Sequence, residues 1–186
     1  MKRMFIAGAV TLALFAGAVP RLAAERFSLE VKGGYFLPTE KVFRDVYDGG
    51  GLSYGGEFDF RVSGGLSVWL GADYFKKDGQ LTFTQEATTL TLKPISGGVR
   101  YSLGAGMMRP YVALGVTYVK YREESVIGSI DEGDVGFLGQ AGVRLRVASG
   151  FFLDVQARFS TCKAKPVDVS ADLGGLLGSL GIGFSF

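Results

Sequence analysis

Leu176-Leu177-Gly178-Ser179-Leu180-Gly181-Ile182-Gly183-Phe184-Ser185-Phe186 is the stretch whose reading decides the fold. Counted back from Phe186, every second residue is apolar or glycine: Phe186, Phe184, Ile182, Leu180, Gly178, Leu176. The intervening Ser185, Gly183, Gly181 and Ser179 are small or polar, and only Leu177 breaks the set. A period of two marks a strand with one greasy face. A strand that runs to the last residue has no following segment to cover that face. The pattern is expected where the apolar face meets lipid and both strand edges pair within a closed barrel.

Seven earlier segments repeat the alternation. They are Phe27 to Leu37, Leu52 to Val62, Leu66 to about Phe75, Thr89 to Leu103, Tyr111 to Tyr121, Val135 to Val147 and Phe151 to Ser160. Each is close to the roughly 9–11 residues that cross a bilayer when tilted. The connections alternate in length. Pro38–Gly51, Lys76–Thr88, Arg122–Asp134 and Thr161–Asp172 are long; Ser63–Gly65, Gly104–Arg109 and Ala148–Gly150 are short. Long loops at one end and tight turns at the other characterise an outer-membrane barrel. The fold class predicted is all-β: an eight-stranded antiparallel up-and-down transmembrane β-barrel. Pro94 interrupts the fourth strand and, having no N–H to donate, predicts a bulge there. Leu81 and Phe83, alternating with threonines, and Leu90 and Leu92, alternating likewise, predict a hairpin standing above the membrane about Gln85–Thr88.

The strand charges share one parity: Glu30 and Lys32; Glu57, Asp59 and Arg61; Asp73; Arg100; Arg144 and Arg146; Asp154 and Arg158. Arg or Lys facing lipid at mid-membrane would each cost about 2–4 kcal/mol, so these residues are assigned to the lumen. There they should pair and plug it. A soluble barrel of lipocalin type, with the faces exchanged, has the same periodicity. Loop sorting and aromatic placement favour the membrane version. Phe27, Phe60, Tyr101, Tyr111, Phe151 and Phe186 would form a girdle at the turn end, and Tyr35, Tyr54, Tyr74, Tyr118 and Phe159 one at the loop end. Phe58 and Phe137 stand apart from both. Lys76, Lys77, Lys120, Arg122, Lys163 and Lys165 lie at the loop ends, either as ordinary snorkelling surface or as contacts for lipopolysaccharide phosphates, which would lie there.

The composition fits one domain of 186 residues. Lys2 and Arg3 precede an apolar run, Met4 to Ala18, too short to span a membrane as a helix. Residues 1–24 read as a cleaved signal peptide, cut after Ala24 or Ala18, and 25–186 as the barrel domain. Cleavage after Ala24 takes three positive charges (Lys2, Arg3, Arg21) from the formal +2 and leaves −1, a balance that gives no footing for nucleic acid. Cys162 is the one cysteine, so no internal disulfide forms. There is no histidine, which removes Ser-His and Cys-His nucleophile pairs and imidazole metal sites. Gly104–Gly106 lacks the Lys-Ser/Thr of a phosphate loop and reads as a turn. Glu123, Glu124, Asp131, Glu132 and Asp134 make the third long loop acidic, either a solvated run or oxygen ligands for a divalent cation. No cofactor is expected.

Pro94-Ile95-Ser96-Gly97-Gly98-Val99-Arg100-Tyr101, with Arg109-Pro110-Tyr111-Val112-Ala113-Leu114-Gly115-Val116, resembles the small OmpA-like, OmpX-like and OmpW-like outer-membrane barrels. Gly183-Phe184-Ser185-Phe186 is similar to their C-terminal assembly signal. The resemblance implies a bacterial outer-membrane location, with Phe184 and Phe186 read by the barrel-assembly machinery, and a monomeric protein in contact with outer-membrane lipid and lipopolysaccharide. Lipid-modifying barrels of this kind lean on a histidine, so no enzymatic activity is expected here. Two roles follow: a structural or surface-interaction scaffold with a plugged polar lumen, or, as the OmpW-like resemblance implies, a channel or transporter for small hydrophobic molecules. The second needs an apolar or open interior, against the charged one predicted.

Overall fold

The computed structural model describes residues 25–47, 49–80, 87–104, 106–125, 128–164 and 171–186. The expected signal peptide, Leu81, Phe83 and Lys165 lie outside them. The elements are β1 (Phe27–Pro38), α1 (Lys41–Val46), β2 (Gly51–Ser63), β3 (Leu66–Gln80), β4 (Ala87–Ser102), β5 (Met108–Ser125), β6 (Gly128–Arg146), β7 (Phe151–Thr161), β8 (Lys163–Ala164), β9 (Ala171–Asp172) and β10 (Gly175–Ser185). β1 to β7 and β10 form a closed antiparallel barrel in which each strand pairs with its neighbours in the chain. β1 and β10 close it, from Ser28↔Ser185 to Pro38↔Gly175. The eight segments predicted from the alternation are the eight barrel strands.

Alternation fixes which side chains face out. Leu29, Val31, Leu70, Val99, Leu114, Val155 and Ile182 are exposed, while Glu30, Trp69, Arg100, Ala113, Asp154 and Gln156 on the other parity are buried. An apolar outer band over a polar interior reverses the order of a soluble protein and matches a barrel whose solvent is lipid. At the turn end, glycines with positive φ carry the reversals: Gly64 at 53°, Gly104 at 79° and Gly150 at 78°, a region that L side chains rarely adopt. Phe27 packs on Phe60 and Phe186, at 5.1 and 5.9 Å between ring centroids, and Phe151 on Phe184 at 4.8 Å. The Phe186 carbonyl accepts from the Arg26 and Phe27 amides, and its own amide donates to the Phe27 carbonyl. Phe186 therefore locks the seam between the first and last strands.

Four strands run longer than the alternation indicates. β3, β4, β5 and β6 have 15, 16, 18 and 19 residues, beyond the roughly 9–11 a bilayer needs. The third long connection is therefore mostly ladder, paired up to Ser125↔Gly128. The second is paired up to Gln80↔Ala87. Of the predicted hairpin, the described part thus stands as strand, and Leu90 and Leu92 point inward and are buried.

Pro94 makes no bulge. The β3–β4 ladder breaks opposite it, between Ala72↔Ile95 and Phe75↔Leu92, and resumes in the same register. The β4–β5 ladder passes through Pro94↔Val119 without a shift. A missing donor removes one rung and does not by itself add a residue. What changes at Pro94 is the chemistry of the two faces. Below it Ser96 and Arg100 point in; above it Leu90 and Leu92 do. An apolar cluster of Phe43, Tyr47, Phe75, Leu90, Leu92, Val119, Tyr121 and Cys162 fills the loop end, with Phe36, Val46 and Leu173 packed on it. Helix α1, which the sequence reading missed, supplies Phe43 and Val46 and caps it. Among the described residues no helix is long and apolar enough to cross a membrane.

Closure has a measurable consequence. The folded protein should run at a different apparent mass from boiled protein on a detergent gel. Replacing Phe186 with Asp puts a charge into the aromatic seam and should reduce the folded band recovered from membranes. Undiminished folded protein in the variant would contradict the role given to Phe186.

Candidate functional site

The interior narrows the question of function, because an eight-stranded lumen is just wide enough for side chains to fill. Three arginines and a lysine organise it. Arg100, from β4, donates through Nη1 to both Asp59 oxygens at 2.7 Å and through Nη2 to Glu57. Its guanidinium lies over the Tyr111 ring at 4.3 Å. Arg144, from β6, reaches Asp59 at 2.6 Å, Glu30 at 3.2 Å and Asp154 at 3.7 Å. It also lies over Phe152 at 4.7 Å. Arg158, from β7, pairs with Asp73 at 2.5 Å and donates to Gln140 at 3.1 Å. Lys32, from β1, pairs with Glu57 at 2.7 Å and donates to Gln156 at 3.1 Å.

Several of these contacts cross the barrel between strands that are not neighbours. Arg100 on β4 reaches β2; Arg158 on β7 reaches β3; Arg144 on β6 reaches β1 and β2. Trp69 is fully buried beside them, with Ala113 and Leu138. Carboxylates bridge neighbouring cations, so each charge has an opposite charge in contact. An unpaired charge at such a depth would cost several kcal/mol.

Glycine makes room for this filling. A Cβ at Gly181 would meet the Glu30 carboxylate, one at Gly55 the Asp73 carboxylate, one at Gly115 the Trp69 ring and one at Gly183 the Phe152 ring. These glycines belong to the inward parity of their strands. Glu30, Asp73, Trp69 and Phe152 thus each pack against a wall position without a side chain.

Nine of the eleven residues assigned to the lumen meet in the network: Glu30, Lys32, Glu57, Asp59, Asp73, Arg100, Arg144, Asp154 and Arg158. Arg61 and Arg146 do not. They lie one step nearer the turns, on the wall of the mouth, where Arg146 pairs with Glu25 at 2.6 Å. Parity assigns a side chain to a face but not to a depth. Tyr111 corrects the girdle assignment. It is 2 % exposed, donates to Asp154 at 2.7 Å and accepts from Gln156 at 3.0 Å. Its parity, shared with Ala113 and Thr117, carried that signal. The other predicted girdle residues are all exposed.

At the loop end Lys76, Lys120 and Lys163 are exposed and Lys77 is half-buried. Lys120 pairs with Asp131 at 3.3 Å. Lys93, which the sequence reading left out, faces outward directly opposite Lys120. The acidic third loop is largely strand, and Tyr121 donates to Glu132 at 2.7 Å. Among the described residues no group of three or more His, Cys, Asp or Glu is placed to hold a metal. Cys162 sits in the apolar cap. Burial, with Asp134 and Asp172 nearby, pushes its thiol up to about 11.

The outer membrane protein beta-barrel domain family matches residues 9–185, and the chain belongs to it. Among solved structures it is similar to neisserial surface protein A, with 18% identity over 86% of this chain and 97% of that one and a TM-score of 0.60. It is also similar to OprG of Pseudomonas aeruginosa, with 14% identity over 87% and 96% and a TM-score of 0.68. Ail of Yersinia pestis matches at 14% identity over 87% and 99%, with a TM-score of 0.56. At these identities the likeness is one of fold. No curated protein matches the chain.

Two measurements check the interior. Replacing Arg158 or Arg144 with Ala leaves carboxylates buried without their counter-charge and should destabilise the barrel by about 3–5 kcal/mol, read as a lower temperature for loss of the folded gel band. Cys162 should resist maleimide at pH 7 in folded protein and react once the protein is boiled, because thiolate is the reacting species.

Proposed function

We propose that this outer-membrane β-barrel protein is a plugged, non-enzymatic scaffold that presents its loop-end surface and passes little or no solute. The observation that carries the reading is the cross-barrel network about Arg100, Arg144 and Arg158, which occupies the lumen between Asp59 and Asp73. Opening a pore there would require several charge pairs to separate in a narrow space. The exposed cations Lys76, Lys93, Lys120 and Lys163 support contact with lipopolysaccharide phosphates at the loop end, with Lys77 and Arg122 on the same rim. The aromatic seam at Phe184 and Phe186 fits the proposed recognition by the barrel-assembly machinery.

A second reading has its own support. The loop half of the interior is apolar, contrary to the uniformly charged lumen predicted, and chemistry of this kind suits a small hydrophobic molecule. Its free space argues against a resident ligand. The cavity where this half meets the charge network, bounded by Phe36, Phe75, Leu92 and Leu177 together with Asp73 and Arg158, holds about 40 Å3, whereas small-molecule sites measure roughly 300–1,000 Å3. The apolar half is a packed core more than a vestibule, which keeps the scaffold reading ahead.

Planar-bilayer recording of the purified protein decides between them. The scaffold predicts no large, steady conductance. Porin-like steps would overturn the plug, and saturable uptake of a small apolar probe by proteoliposomes would place transport first.

A further inference from the structure

The other end of the lumen holds the larger space. A cavity of about 450 Å3 opens at the turn-end mouth, within the size range of ligand sites. The scaffold role makes no use of it. Arg26, Arg61, Arg109 and Arg146 line its wall, and Arg144 forms its floor with Asp59. All five share the inward parity of their strands. Arg26 precedes Ser28 by two, Arg61 follows Asp59 by two, Arg109 precedes Tyr111 by two, and Arg146 follows Arg144 by two. Arg109 lies directly opposite Arg144 in the β5–β6 ladder.

The carboxylates nearby are already engaged. Asp59 is held by Arg100 and Arg144, and Glu25 by Arg146. Among the described residues Arg26, Arg61 and Arg109 have no carboxylate within 4.0 Å. The Arg109 side chain donates to the Gly106 carbonyl, at 3.3 Å. Several guanidiniums thus converge on one open concavity with too few anions to match them. Guanidinium is the side chain suited to bidentate recognition of carboxylate and phosphate. The three turn glycines, Gly64, Gly104 and Gly150, border the mouth without side chains to obstruct it.

We propose that this basin binds a small multivalent oxyanion, of the pyrophosphate or polycarboxylate class, entering from the water on the turn side. The same groups would accept a lipid phosphate. The arginines, however, belong to the inward face and are separated from the leaflet by the barrel wall, so the ligand is taken to be soluble.

The test uses the full chain in phosphatidylcholine nanodiscs, titrated calorimetrically with pyrophosphate and with citrate at constant ionic strength. Saturable binding of at least one is expected. Arg61→Gln and Arg109→Gln, made singly so that either can decide if the other fails to insert, should each weaken it roughly tenfold. Lys41→Gln, on helix α1 at the opposite end, should leave it unchanged. No saturable binding by the wild type, or equal binding by both arginine variants, would overturn the site. Abolition of the signal on moving the wild type into phosphatidylglycerol nanodiscs, with retained affinity in phosphatidylcholine, would assign the basin to lipid headgroups and overturn the soluble ligand.

Discussion

A backbone in hydrocarbon has no water to satisfy its amides and carbonyls, and every other property of this molecule follows from that constraint. Only closure satisfies both edges of a sheet. β1 therefore pairs with β10 along eleven residues, and Phe186 completes the seam. Closing with eight strands fixes the lumen at about the width of its own side chains. The interior is then not a hydrophobic core of the usual kind. It must be filled, and filled by whatever the inward parity carries.

In the turn half that parity carries charge, and the filling is a problem in pairing. Five carboxylates, Glu30, Glu57, Asp59, Asp73 and Asp154, share four cations, Lys32, Arg100, Arg144 and Arg158. Arginine serves better than lysine because one planar group reaches several acceptors and also stacks on rings. Arg144 does both, contacting three strands' carboxylates and lying over Phe152. Side chains packed into a narrow barrel need room beside them on the wall. The glycines at 55, 115, 181 and 183 leave it for Asp73, Trp69, Glu30 and Phe152, which gives part of the high glycine content a steric reason distinct from turn formation.

The strands were legible because period two is imposed by the pleat and by the contrast between lipid and lumen. Both hold over the full height of the membrane. The terms that were not legible act where that contrast stops. Above the bilayer the outside is water, so Thr89, Thr91 and Lys93 face out while Leu90 and Leu92 face in. Parity continues through Pro94 and only the chemistry inverts, which the sequence reading took for a slip in the ladder. Helix α1 escaped notice because six residues are too few for a helical period to stand out, although Phe43, Val46 and Tyr47 have helical spacing. Parity put Arg61 and Arg146 on the inward face but carries no depth, and strand stagger sets them at the turn-end mouth. Tyr111 was assigned by its place near a strand end, and its inward parity outweighed that.

The inversion at Pro94 divides the interior into compartments of opposite character. On the loop side is a packed apolar core under α1; on the turn side is an open cavity rich in arginine. Between them lies the network from Arg144 to Arg158. A polar solute in the turn-side cavity would have to break charge pairs and then enter apolar packing to cross. An apolar solute from the loop side would have to traverse the charges. Each compartment excludes the solute that the other tolerates, so the barrier is chemical as well as steric. Widening the plug alone would not make a good conduit for either kind of molecule. That supports the proposed reading of two separate surfaces, one facing each side of the membrane, joined by a plugged barrel.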